Sequence, residues 1–189
     1  ISNVFSSNRL SLGNSFEAGE SITLGLNFKK EKVNMNNKIE KIEEYIDFKL
    51  ASVFRLNEEK NIPTNSTLNK KNSNIFGEFN FKPIKNISFG YNFSLTNDLN
   101  TFEYNSLLTK MEFGNFTTQF EYLEERGIIG KSNIIENTTE YNFDEQNFIS
   151  FNTRRNRELD LTEYYDLVYE YKNDCLVAGI RYKKKYYND

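Results

Sequence analysis

Ile87-Ser88-Phe89-Gly90-Tyr91-Asn92-Phe93-Ser94-Leu95-Thr96 alternates five large apolar residues with five small or polar ones. Side chains along a strand point to opposite faces in turn, so this segment carries one dry face and one wet face. Similar segments at 21–30, 45–56, 74–82, 101–113, 116–125, 133–143, 147–156, 161–171 and 175–187 bring the predicted strands to ten. In the first, Ile22, Leu24, Leu26 and Phe28 alternate with Thr23, Gly25, Asn27 and Lys29; in the last, Leu176, Ala178, Ile180 and Tyr182 alternate with Val177, Gly179, Arg181 and Lys183. Segment 101–113 changes parity near Ser106, where a β-bulge is predicted. A length of about nine to eleven residues is what a tilted strand needs to cross the hydrocarbon of a bilayer.

The chain has 189 residues, begins at Ile1, and has no apolar run long enough for a signal peptide or a membrane-spanning helix. It is read as an internal piece of a longer protein. A net charge of −3 gives no electrostatic footprint for nucleic acid. Mean hydropathy of −0.69 is polar, but a barrel wall needs only every second residue to be apolar. There is no His and a single Cys, which removes His-based acid–base chemistry, Cys–His dyads and Cys/His zinc sites within these residues. No glycine-rich phosphate loop is present. These absences argue against an enzyme and give no candidate catalytic residue, cofactor or metal.

The links carry a second signal. Residues 83–86, 114–115, 144–146 and 172–174 are tight and rich in turn formers, whereas 57–73, 97–100, 126–132 and 157–160 are mostly longer. Outer-membrane barrels have this asymmetry, with short turns on one side and longer loops on the other. Residues 31–44 break it, as a long Glu/Lys/Asn-rich link on the short side that reads as a solvated excursion. No segment looks like a crossover helix, so the predicted architecture is all-β, an antiparallel up-and-down series of about ten strands. A soluble sandwich or lipocalin-like barrel also alternates. Strands longer than the usual five or six residues, with Tyr45, Phe102, Tyr104, Tyr122, Tyr141, Tyr171, Tyr186 and Tyr187 near their ends, favour a membrane barrel.

Several segments, in order, resemble the C-terminal barrel region of the LPS-assembly protein family, LptD, of Gram-negative outer membranes. They are Asn8-Arg9-Leu10; Phe16-Glu17-Ala18-Gly19-Glu20 running into Ser21-Ile22-Thr23-Leu24-Gly25-Leu26; Lys71-Asn72-Ser73-Asn74-Ile75-Phe76-Gly77; Phe120-Glu121-Tyr122-Leu123-Glu124-Glu125; and Thr153-Arg154-Arg155. The most specific is Tyr169-Glu170-Tyr171-Lys172-Asn173-Asp174-Cys175-Leu176, running on through Gly179-Ile180-Arg181-Tyr182 to Tyr186. The resemblance implies an outer-membrane barrel of about twenty-six strands, of which residues 1–189 supply ten. It implies lipopolysaccharide as cargo, a plug lipoprotein (LptE) in the lumen, and delivery by a periplasmic bridge through an N-terminal domain. It also implies a lateral exit between first and last strands. The N-terminal domain and the closing strand are expected outside this chain.

On the same resemblance, Cys175 is a disulfide candidate, because the family's cysteines at this turn bridge to cysteines near the mature N-terminus. Here residue 174 is Asp, so the site offers one sulfur. Arg55, Arg154, Arg181, Lys183 and Lys185 form an expected lumen-facing basic row that would draw anionic phosphates. The plainer reading, a solvated interior balanced by Glu121, Asp166 and Glu170, is favoured. Phe79, Phe81, Phe89, Tyr91, Phe93, Phe120, Leu167, Tyr169 and Ile180 are expected to face membrane lipid. Glu124-Glu125-Arg126, with the loop at 57–71, is a weak candidate for divalent cations bridging the cargo at the rim. Two rival functions stay open: a general outer-membrane porin, and a soluble lipid-binding barrel.

Overall fold

A computed structural model describes residues 4, 19–36, 39–62, 67–127 and 130–186. Ten strands follow one another: β1 (Ser21–Asn36), β2 (Ile39–Arg55), β3 (Ile75–Ile84), β4 (Ile87–Leu95), β5 (Phe102–Phe113), β6 (Phe116–Gly127), β7 (Gly130–Asn142), β8 (Asn147–Asn156), β9 (Leu161–Lys172) and β10 (Val177–Lys185). They form one antiparallel sheet in chain order, β1 to β10, with each strand paired to the next. The sheet is open, and β1 and β10 are its outer strands. Apart from a short 3₁₀ turn at Thr67–Asn69, no helix longer than a turn occurs among the described residues.

Local chemistry makes the turns. Phe113 pairs with Phe116 across Gly114-Asn115, and Gly114 takes φ +56°, the positive first position of a type II′ hairpin turn. Between β7 and β8, the Asp144 carboxylate accepts the backbone N–H groups of Gln146 and Asn147 at 2.8 Å each. Those bonds hold its carboxyl below the ordinary carboxylate range, with the Asn147 side chain the largest cause. Between β9 and β10, the Asn173 side chain plays the same part, accepting from the backbone of Cys175 at 3.0 Å and Leu176 at 2.8 Å.

Three expectations change. The segment at 31–44 is not a solvated link: β1 and β2 continue as a paired ribbon from Ser21↔Arg55 out to Asn36↔Ile39, with one register shift between Lys32 and Val33. Cross-strand hydrogen bonds need only backbone, so pairing persists where the side chains stop alternating. The segment at 126–132 is not a loop either, because β6 and β7 pair as far as Gly127↔Gly130. The bulge in β5 lies at Glu103, where the register against β4 shifts between Ser94 and Leu95, not at Ser106. There the extra residue turns its carboxylate to accept from Asn74 Nδ2.

The buried core is small. Val53 and Ile62 are each 1 % exposed and Leu68 is 9 %, with Phe76 packed against them. This cluster forms where the link between β2 and β3 folds back over the end of β2. Arg55 N donates to Lys71 O at 2.7 Å and Ser73 N to Val53 O at 2.9 Å, while the Ser73 hydroxyl accepts from Val53 N at 2.9 Å.

Candidate functional site

The pairing register assigns every strand residue to one of two faces. On β3 to β6, Phe79 pairs with Tyr91, Tyr91 with Leu107 and Leu107 with Tyr122, so these four share a face. Following the register, the same face carries Ile22, Leu24, Leu26 and Phe28 on β1, and Ile180 and Tyr182 on β10. All nine residues read as lipid-facing fall on it: Phe79, Phe81, Phe89, Tyr91, Phe93, Phe120, Leu167, Tyr169 and Ile180. Aromatic rings meet across it, Phe48 to Phe79 at 6.4 Å, Phe81 to Phe89 at 6.3 Å and Phe151 to Tyr165 at 6.2 Å between centroids. Phe93 lies across Gly77, its cross-strand partner, where a β-carbon would collide with the ring.

Charged residues leave the middle of this face empty. On β2 it presents Ile46, Phe48, Leu50, Ser52 and Phe54, and on β4 Ile87, Phe89, Tyr91, Phe93 and Leu95. The charges on the same face stand at the ends: Lys30, Lys32 and Glu44 toward the tight turns, Glu124, Arg126, Lys131, Arg155 and Lys184 toward the other side. Eight residue steps amount to roughly 27 Å along a strand, which a tilt of about 40° reduces to about 20 Å of depth. That is the scale of the lipid-facing band of an outer-membrane barrel, about 25 Å. A polar island missed in sequence interrupts it: Thr118 and Thr139 hydroxyls lie 3.0 Å apart, and Asn137 Nδ2 donates to Thr118 at 3.2 Å and to Gln119 O at 3.1 Å. These groups satisfy one another within the sheet.

The opposite face carries the charges, and all five residues of the predicted basic row lie on it. They do not form a free cationic row. Arg154 lies 2.9 Å from Glu136 and 2.8 Å from Glu163. Arg181 forks onto both oxygens of Asp166, and Lys183 reaches the same carboxylate at 3.5 Å. Lys49, which sequence reading missed, sits 3.3 Å from both Asp47 and Glu78. Glu121 and Glu170 share this face with Asp166, as the plainer reading expects. Arg55 is 6 % exposed under the folded link, and its Nε donates to Leu68 O at 2.8 Å. Its role is to tie that link down; a long-range fold, not local spacing, decides it.

The carboxylates at 124–125 do not converge. Glu124 and Glu125 point to opposite faces, and Arg126 occupies Glu124 through two nitrogens at 2.9 and 2.7 Å. Among the described residues no cluster of acidic, His or Cys side chains fits a metal ion. Cys175 is exposed with a free thiol at the β9–β10 turn, and as the single cysteine of the chain it has no partner within it.

The profile of the family described as LptD, LPS transport system D, matches residues 1–154. The chain belongs to the LptD family. The matched span takes in β1 to β7 and most of β8. The stretch around Cys175 lies beyond it, in β9, β10 and their turn, which extend the LptD sheet in the same antiparallel order. A search of curated proteins finds no match. The two faces of this LptD sheet differ in kind: one carries no charge over a depth of about 20 Å, and the other carries ion-paired charges.

Proposed function

We propose that this chain is a section of an outer-membrane barrel that carries lipopolysaccharide to the outer leaflet of a Gram-negative cell. It acts as a wall and guide, without catalysis. The carrying observation is the uncharged band held in register across all ten strands, together with family membership. A soluble protein buries its apolar face; here Ile22, Leu24, Leu26 and Ile180 are 58–74 % exposed, and the buried cluster lies on the other side. That supports lipid as the medium for the apolar face.

On this reading, further strands close the barrel, and a plug lipoprotein and the periplasmic bridge act with it, as the family resemblance implies. Arg154, Arg181, Lys183 and Lys185 face the lumen. Cys175 bridges to a cysteine elsewhere in the full protein, in keeping with an oxidising compartment.

The test is photocrosslinking in cells expressing the full-length protein. A photoreactive residue in place of Asn152 or Val168, on the polar face, is expected to capture lipopolysaccharide. One in place of Phe120 or Leu167 is expected to capture only bilayer lipid or neighbouring protein. Small-solute conductance with no capture of lipopolysaccharide at polar-face positions would establish the porin alternative instead.

A further inference from the structure

The link between β2 and β3 packs within the depth of the uncharged band, not beyond it. On β2 the uncharged run of the apolar face extends from Ile46 to Phe54. Val53 lies inside that run in height but faces the opposite way, on the polar face with Lys49 and Ala51. Ile62 and Leu68, one from each limb of the link, pack on it, and Phe76 of β3 joins the cluster on the same face. The two limbs bond to each other from Glu59 N to Asn69 O at 3.0 Å, and Asn74 N donates to Thr67 Oγ1 at 3.1 Å. Around the link, Ala51, Val53, Arg55 and Ser73 are all buried. On the same face Leu108 of β5 and Glu121 of β6, both on interior strands, are exposed.

We propose that this link is an inner strap that closes the β2–β3 sector of the lumen and confines lipopolysaccharide to the sector from β5 to β10. The inference rests on the reading given above, in which the polar face lines the lumen and the cargo passes along it. A loop that only capped the barrel would pack past Phe54, at the outer edge of the band. This one sits at the height of Val53, with Phe54 on the other side of the wall. Releasing it exposes Val53, Ile62 and Leu68 to water and takes the Leu68 carbonyl from the Arg55 guanidinium, so the seated state is the stable one. A bulky cargo moving along β2 or β3 therefore meets a fixed obstacle. Along β5 and β6 it meets an uncovered wall at Leu108 and Glu121, continued by the ion pairs of Arg154 and Arg181. Arg55 is then a positioning residue: it holds the strap that decides the route and does not touch the cargo.

The experiment is photocrosslinking in cells expressing the full-length protein, with a photoreactive phenylalanine derivative in place of Phe76, beside the strap, or of Asn152, in the open sector. Position 152 is expected to capture lipopolysaccharide, and position 76 only the chain itself. Removing a buried Ile or Leu side chain shifts a packing equilibrium by roughly thirtyfold or more, so Ile62→Ser with Leu68→Ser is expected to bring capture at 76 up to the level at 152. Arg55→Ala, which leaves the apolar cluster in place, is expected to raise capture at 76 by roughly tenfold. Leu99→Ser, at an exposed outer turn, is expected to leave both positions as in the parent. Capture of lipopolysaccharide at 76 in the parent overturns the proposal. So does a double variant that assembles with the heat-modifiable mobility of the parent and captures at 152 but gains nothing at 76. An equal gain at 76 in Leu99→Ser overturns it as well. If the double variant fails to assemble, Arg55→Ala decides, and no gain at 76 overturns the proposal. Those outcomes, with capture at 152 intact, defeat this inference alone. No capture at 152 in the parent defeats the transport reading itself.

Discussion

Two adjacent residues of β6 separate a membrane wall from any other two-faced sheet. Phe120 lies mid-strand on the apolar face, between Thr109 of β5 and Asn137 of β7; Gln119, one residue away, lies on the polar face between Lys110 and Thr138. Phe120 is two positions along its face from Phe116 at the turn end and two from Glu124 where charge begins, near the centre of the band. An arginine there costs about 2–4 kcal/mol at the bilayer midplane, a factor of roughly 30 to 700 in the folding equilibrium. At Gln119 the same arginine reaches solvent and gains Glu121, which Gln119 already contacts, so its expected effect is within about 0.5 kcal/mol. The assay is urea-driven folding of the full-length protein into lipid vesicles, comparing Phe120→Arg with Gln119→Arg. Equal losses at both positions, or a loss below about 1 kcal/mol at Phe120, would refute the assignment of that face to lipid.

Four other outcomes are expected. Ser73→Ala leaves the Val53 N–H without its acceptor in a fully buried site, at a cost of about 1–3 kcal/mol, and limited proteolysis should then nick the link at 56–74 faster. Gly77→Val forces the Phe93 ring off its seat and out of its 5.6 Å stack with Tyr91, costing about 1–3 kcal/mol in thermal unfolding and altering the near-ultraviolet signal of the tyrosines. Asp144 stabilises its turn while ionised. Its folded carboxyl is held below the ordinary 3.8, so the contribution is complete above that value and is lost as pH falls through the lower folded value; Asp144→Ala should remove that acid-side transition of the β7–β8 turn followed by NMR. Full-length protein isolated from outer membranes without reductant is expected to resist thiol alkylation at Cys175 until reduced, and immediate labelling would show that no disulfide forms there.

The membrane-depth parts of the strands were legible because each side chain there answers to one of two media. At 147–156 the predicted and observed strand coincide, and at 87–96 they differ by one residue. The ribbon beyond Lys30 was not legible for the same reason. Past the band both faces are wet, Glu31, Lys32 and Glu44 are all tolerable, and the alternation that marks a strand disappears although the ladder continues. Site residues divided along a similar line. Which face Arg154 or Phe120 occupies follows from parity alone, whereas the burial of Arg55 depends on Leu68 presenting its carbonyl from thirteen residues away, and no local pattern encodes that. Thr118, Asn137 and Thr139 look like errors in an apolar row until the register brings their hydroxyl and amide groups into contact.

The pairing of charges on the polar face bears on what the wall does to its cargo. A site that holds phosphate leaves cations uncommitted and desolvated; a passage has to bind weakly enough to let go. On the polar face Lys49 is shared by Asp47 and Glu78, Arg154 by Glu136 and Glu163, and the Arg181–Lys183 pair by Asp166. On the proposed reading, a lipid A phosphate moving along the wall attracts each cation only in competition with a carboxylate already in place. These groups are mostly half-buried, and Asp166 is 5 % exposed, so a cation that leaves its carboxylate leaves a poorly solvated charge behind, which favours the existing pairs.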